Sequence, residues 1–340
     1  MNPELLNTLG SIVGTATPLV IASLGETVTE RAGVVNLSLD GSLTLAAVLG
    51  FAAAWTAQEA GVLDVPGQIA LGIAVAMLVG ALIALLIGFS SIKLRRDQVA
   101  VGFVLTLLAA DLARFLGANF TRIPGPQITR YAIPVLSDLP VIGPIFFRQN
   151  LLVYFSYALM FAIWYWLFRT GGGLTLRAIG ERPEAAYARG ARVQRLRYWY
   201  TALGGALVGL AGAAYSLNVK PGWSSPPAMQ GDGWIALAIV IFGGWHPFRV
   251  VLGAYLFAAL RAVSSNIQTN GLFIFGQEIS FPFVLLNTLP WLLMIVTLLV
   301  VSSGLTERLL QYMPRAVRRR LRAFLRSDPP KALGIRFDID

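Results

Sequence analysis

The sequence predicts an all-α fold, a polytopic helical membrane bundle of about 8–10 spans with one short cytoplasmic helix standing outside it. Three observations carry that prediction. The chain is 56% apolar and only 13% charged, against roughly 25% charged in an average globular chain. Its mean hydropathy is +0.67. Apolar runs recur from end to end at about the 20 residues that a helix needs to cross the hydrocarbon of a bilayer. The chain has no Cys and one His, which excludes disulfides and thiolate chemistry and leaves little for hydrolytic or metal chemistry.

Spans are expected at residues 8–25, 37–55, 67–90, 98–117, 150–168, 198–217, 234–243, 248–263 and 282–302. The two short ones flank Gly243-Gly244-Trp245-His246-Pro247, which reads as a tight turn between helices or as the tip of a re-entrant pair. The first run lacks the basic start and small-residue cleavage site of a signal peptide and reads as a retained helix.

Orientation follows from the basic residues, because Lys and Arg in short loops stay on the cytoplasmic side. Residues 169–197 carry net charge +5, as do residues 304–340. With Arg31, Lys93, Arg95, Arg96 and Arg249, 21 of the 27 basic residues fall on one set of loops. The other set holds Arg114, Arg122, Arg130, Arg148, Lys220 and Arg261. The richer set is expected inside, with the N-terminus outside and the C-terminus cytoplasmic, in the plasma (inner) membrane. The domain division is a membrane body over 1–303 and a basic cytoplasmic tail over 304–340. That tail suits anionic lipid headgroups; it has no motif for nucleic acid.

The segment Gly171–Arg197 is the most informative. Pro183 suits a first helical turn, Glu184 favours the positive end of the dipole, Arg189 the negative end, and Gly190 a C-terminal stop. A helix of about two turns results, too short to persist alone in water. Ala185, Ala186 and Ala188 give it a low profile that another backbone could approach.

Glu184-Ala185-Ala186, three residues, then Gly190 resembles the EAA-x-x-x-G signature of permease subunits of ATP-binding-cassette importers. LRAIGERP before it and ARVQRLRYWYTALGGALVGLAGAAY after it resemble the branch that handles ribose, other simple sugars, nucleosides and branched-chain amino acids. ERAGVVNLSLDG at 30–41, LRRDQVAVG at 94–102 and GDGWIALAIVIFGGWHPF at 231–248 are most similar to the nucleoside-type permeases. The resemblance covers about residues 8–302. It implies that the short helix is a coupling helix docking on a cytosolic ATP-binding-cassette ATPase, through Gly180, Glu181, Pro183, Glu184, Ala185, Ala186 and Gly190. It also implies an extracytoplasmic solute-binding protein and a second permease subunit, a related chain or a second copy. The chain has no phosphate-binding G-x-x-x-x-G-K-[ST] loop. It is expected to be no enzyme, to take no cofactor or metal, and to move a small polar solute, a nucleoside or simple sugar.

A solute path needs polar groups within apolar helices, where charge is costly and usually faces a cavity or a partner. Glu26, Thr29, Glu30, Arg31, Asn36, Ser38 and Asp40 lie in or beside the first two spans, with Gly33 and Gly41 around them. They read equally as a break in a helix or as the turn between spans. The pathway candidates are Asn36, Asp40, Gln98 and Trp234. Asp97 and Asp232 are expected to cap helix N-termini, and Asp111 to pair with Arg114. Gly205-x-x-x-Gly209 predicts close helix contact. Five prolines and two glycines between 118 and 149 predict an outer segment of fixed bends that covers the bundle or receives a soluble partner. Two rival functions are an ion-coupled secondary transporter and an intramembrane hydrolase using Ser302 or Ser303; the capped helix speaks against the first, and the second lacks a positioned base.

Overall fold

Side-chain caps set the helix starts. Asp64 accepts from the Gly67 N–H (3.1 Å), Asp97 from Ala100 (2.8 Å), Asn150 from Val153 (3.1 Å) and Thr170 from Gly173 (3.1 Å), each satisfying a donor the helix would leave orphaned. In this computed structural model the described residues are 3–270, 272–274, 277–279, 329–337 and positions 288, 291, 292, 295, 296, 299 and 314. Apart from those positions, the expected span at 282–302, Ser302, Ser303 and the basic run from Arg315 to Arg326 lie outside the described residues.

The helices are α1 (Pro3–Arg31), α2 (Leu39–Glu59), α3 (Val65–Ile92), α4 (Gln98–Gly117), α5 (Leu151–Arg169), α6 (Gly171–Glu181), α7 (Pro183–Ala188), α8 (Val193–Ala214), α9 (Asp232–Phe242) and α10 (Pro247–Asn270). Among the described residues, seven are long and apolar enough to cross a membrane: α1 to α5, α8 and α10. The expected span at 234–243 is the 11-residue α9. It is too short to cross, because it starts inside the bundle after Gly231, whose φ is +90°. The turn from Gly243 to His246 joins α9 to α10, which run antiparallel, with Gly243 against Val250 and Ile239 against Gly253. Two antiparallel pairs, β1 (Arg130–Ala132) with β2 (Arg148–Asn150) and β3 (Leu272–Ile274) with β4 (Gln277–Ile279), and short 3-10 or π-helical turns at Ala118–Phe120, Leu136–Asp138, Gly143–Phe147 and Tyr215–Val219 are the remaining elements among the described residues. The first pair ties together the proline-rich segment between α4 and α5.

α2 and α8 form the centre, each 72% buried over its most apolar window, whereas α3 and α4 are 28% and 22% buried there. Small residues allow this. A Cβ at Gly204 would strike α1 at Thr29 and Gly25; at Gly205 or Gly209 it would strike the α3 backbone at Gly80 or Ala76; at Gly212 it would strike α2 at Leu43 and Ala47. The G-x-x-x-G contact therefore lies within the subunit. Leu78, Leu82, Leu86 and Phe89 on α3 and Phe103, Val104, Leu107, Leu108 and Phe115 on α4 remain exposed, an apolar exterior that matches lipid.

One topological feature positions the site. α1 is antiparallel to α8, as Gly25 and Thr29 lie against Val208 and Gly204. A non-helical segment, residues 32–38 after α1 and residues 220–231 after the π-helical turn Tyr215–Val219 that extends α8, leads to a helix that begins inside the bundle, α2 or α9. The order repeats with opposite polarity, the arrangement that brings interrupted helices together in many transporters.

Candidate functional site

The starts of α2 and α9 meet. Asp40, one residue into α2, accepts at Oδ1 from the Gly231 N–H (2.8 Å) and the Gly233 N–H (3.1 Å). Gly233 makes this approach possible, since a Cβ there would strike the Asp40 main chain. Asp232 was expected to cap α9, but its carboxylate is turned away: it pairs with Arg261 of α10 (Nη1 to Oδ2 2.9 Å) and accepts from the Tyr215 hydroxyl. Asp40 supplies the cap from across the bundle. Arg261, assigned from sequence to an outer loop, stands in mid-α10, and the buried Asp232 carboxylate is its reason for being there: an ion pair inside an apolar bundle leaves neither charge alone.

Beside this junction a cavity of about 370 Å³ is lined by Asp40, Thr44, Phe103, Thr106, Leu107, Pro227, Gln230 and Trp234, with Asp111 and Arg114 also on its wall. The Phe103 and Trp234 rings stand 6.3 Å apart. Two rings, two carboxylates, a guanidinium, hydroxyls and an amide around such a volume suit a small solute that is apolar on its faces and polar at its edge. Asp111 pairs with Arg114 at 2.8 Å, as expected.

Asp40 and Trp234 thus line the cavity, while Asn36 and Gln98 do not. The Asn36 N–H donates to Glu26 Oε1 (3.2 Å), and Asn36 Oδ1 accepts from the Ser38 hydroxyl (2.6 Å). Gln98 Oε1 accepts from the Val35 N–H (2.8 Å). Both residues hold the 32–38 segment in place. Glu26, Thr29 and Glu30 lie on α1, which continues to Arg31, and Glu30 accepts from the Trp245 indole. The segment is therefore at once the turn between spans and a fold back into the bundle, because the helix stops later, and the turn climbs higher, than the apolar pattern suggested.

At the Arg31 end of α1 the chain builds a second feature. α6 was not expected, since the Gly171-Gly172-Gly173 start reads as a loop; the available signal was Thr170 as a cap and the helical spacing of Gly173, Leu176, Ile179 and Gly180, all buried. α7 begins at Pro183 and ends by a glycine turn: Gly190 has φ +88°, its N–H donates to the Tyr187 carbonyl (2.8 Å), and the Ala191 N–H donates to Ala186 (3.0 Å). That pattern satisfies the last carbonyls of the helix. Pro183 and Ala186 face inward, while Glu184, Ala185, Tyr187, Ala188, Arg189 and Gly190 are exposed. Gly180 lies so close to the Arg31 carbonyl that a Cβ would collide with it. Between α6 and α7 an open groove of about 680 Å³ is lined by Leu174, Ala178, Glu181, Arg182, Ala185, Ala186, Arg189 and Gly190, with Lys331. His246 stacks on Phe168 (5.1 Å between centroids) near this end. Burial, with Arg249 and Arg31 nearby, holds its pKa down to about 4 from the ordinary 6.5, so it is neutral near pH 7 and acts as a packed ring.

Comparison with known proteins decides the family. Residues 8–301 match the family described as branched-chain amino acid transport system / permease component. The chain belongs to this permease family. The permease is 36% identical over 269 residues to TsgC13 of Haloferax volcanii, which carries a provisional name as a glucose ABC transporter permease protein, covering 77% of this chain and 78% of that one. It is 36% identical over 273 residues to the nucleoside ABC transporter permease protein NupC of Lactococcus lactis, covering 77% and 84%. It is 33% identical over 271 residues to the guanosine ABC transporter permease protein NupQ of Bacillus subtilis, covering 73% and 79%. The permease is a multi-pass membrane protein and a permease subunit of an ATP-binding-cassette transporter.

Proposed function

We infer that this permease imports a nucleoside or a simple sugar, with ATP hydrolysed by a separate cytosolic ATPase that docks on α7. The observation that carries the reading is the short α7, bounded by Pro183 and Gly190, with Pro183 and Ala186 turned inward and Glu184, Ala185, Tyr187 and Ala188 exposed. A rigid helix outside an apolar bundle gives a partner something to push. The cavity beside Asp40 and Trp234 supports a solute with an apolar ring face, and a nucleoside has one. The face bearing α6 and α7 is then cytosolic, since the 169–197 loop is strongly basic. A solute-binding protein delivers from the opposite face, and the second permease is a related chain, with a second copy as the alternative. ATP shifts the inward and outward states only as far as the partner binds them differently.

The test is uptake by the transporter reconstituted with its partner subunits, with nucleosides and glucose as competing solutes. Glu184→Arg and Gly190→Asp are expected to lower solute-stimulated ATP hydrolysis by roughly 10-fold, about 1.4 kcal/mol, while the permease still inserts and the complex still forms or weakens in parallel. Uptake that persists without the ATPase would favour the ion-coupled alternative, and unchanged activity in both variants would remove α7 from the mechanism.

A further inference from the structure

Residues 329–337 lie on the α6–α7 face and touch three parts of it. The Ala332 N–H donates to the Gly180 carbonyl at the end of α6 (2.8 Å), and the Gly334 N–H donates to the Gly33 carbonyl in the turn after α1 (3.1 Å). Arg197 Nη1 of α8 donates to the Ile335 carbonyl (3.3 Å). Two side chains of the segment are buried deeply: Ala332 is 4% exposed and Phe337 8%. Phe337 packs with Ile179 of α6, Ala186 of α7 and Val193 of α8, its ring 5.8 Å from that of Tyr187. Gly334, at φ +72°, makes the bend that lets one short segment serve both sites.

The partners of this segment are separate elements. Phe337 holds α7, Ala332 holds α6, and Gly334 holds residue 33, from which the chain climbs through Val35 and Asn36 to Asp40 and the cavity. We propose that residues 329–337 are a positioning strap that fastens the α7 peg to the turn between α1 and α2, so that displacement of α7 moves the start of α2. This rests on the coupling role of α7 argued above. Without the strap, α7 is still exposed to its partner, and its remaining support is the packing of α6 and α7 on α8 and the end of α1.

The test uses the whole transporter, with its partner subunits, in membranes. The chain has no Cys, so Arg182→Cys with Lys331→Cys, two exposed positions that line the same groove and leave Phe337 in place, gives a two-thiol protein, and a short bis-thiol reagent is expected to join the two positions in the resting complex. Absence of that product overturns the strap whatever the role of α7. Truncation after Asp328 and Phe337→Ala are then compared with the conservative Phe337→Leu. Truncation and Phe337→Ala are expected to lower solute moved per ATP hydrolysed by roughly 5-fold or more, the lower bound of ordinary coupling between sites, while ATP hydrolysis and recovery of the complex persist; Phe337→Leu restores the ratio. An unchanged ratio in the truncated chain overturns the proposal. Equal loss of ATP hydrolysis and uptake also overturns it, because that marks the segment as part of the ATPase contact or of folding. Glu184→Arg, run alongside, reports on the α7 reading itself and separates its failure from that of the strap.

Discussion

A carboxylate at the start of one helix that accepts hydrogen bonds from the start of another fixes the two at a point, and Asp40 does this between α2 and α9. Its Oδ1 stands where the orphan N–H groups of α9 point, so it acts as a cap supplied by a neighbour. Asp40→Ala is expected to cost about 1–2 kcal/mol, the usual loss with a removed cap, and to abolish uptake. Asp40→Asn, which keeps an acceptor, is expected to lose less stability. Thermal unfolding in detergent, read beside uptake, checks both; equal stability of Asp40→Ala and the native chain would dissociate the residue from the junction. Asp40 and Trp234 were legible as polar and aromatic intrusions into apolar sequence. The role of Asp232 was not, because an Asp before an apolar run looks the same whether it caps that run or meets an arginine 29 residues later.

Close packing depends on what is missing from α8. Gly204, Gly205, Gly209 and Gly212 let three helices touch its backbone, where the dispersion contacts of many atoms replace the hydrophobic drive that lipid does not provide. Gly209→Val is expected to push α3 away from α8 and to destabilise the bundle by several kcal/mol, in the upper range for an overpacked core, measured as lost recovery of folded protein after heating. Normal thermal stability in that variant would show that α3 and α8 are farther apart than described. The G-x-x-x-G spacing announced a tight contact, but which helix filled it depended on the whole bundle. α7 was legible almost residue by residue, since Pro183, Glu184 and Gly190 act through local backbone rules. α6 was not, as three glycines in its first turn outweigh a threonine cap in any local reading.

The molecule has a hairpin face, with β1 and β2, and an α6–α7 face, joined by helices that alternate in direction. Single cysteines in a chain that has none map these faces. Tyr187→Cys is expected to react with a membrane-impermeant maleimide only from the cytosol, and Tyr131→Cys, in β1 and 64% exposed, only from outside. Reaction of both from one side would contradict the path of the chain, and reversal of the two would contradict the inside assignment of the basic loops.

By itself the sequence determined the class: a helical membrane body, its basic face, and the small terminated helix with its family signature. These follow from composition, charge and near-neighbour backbone preferences, which act over about one or two helical turns. Only the tertiary structure decided that α9 starts inside the bundle, that Asp40 and not Asp232 caps it, that Asn36 and Gln98 support a turn while Asp40 and Trp234 meet a cavity, and that residues 329–337 return to the α6–α7 face. Apart from the local bonds of Asn36 to Glu26 and Ser38, those outcomes join groups between 29 and about 300 residues apart, and such pairings depend on how whole helices pack, which no local pattern encodes.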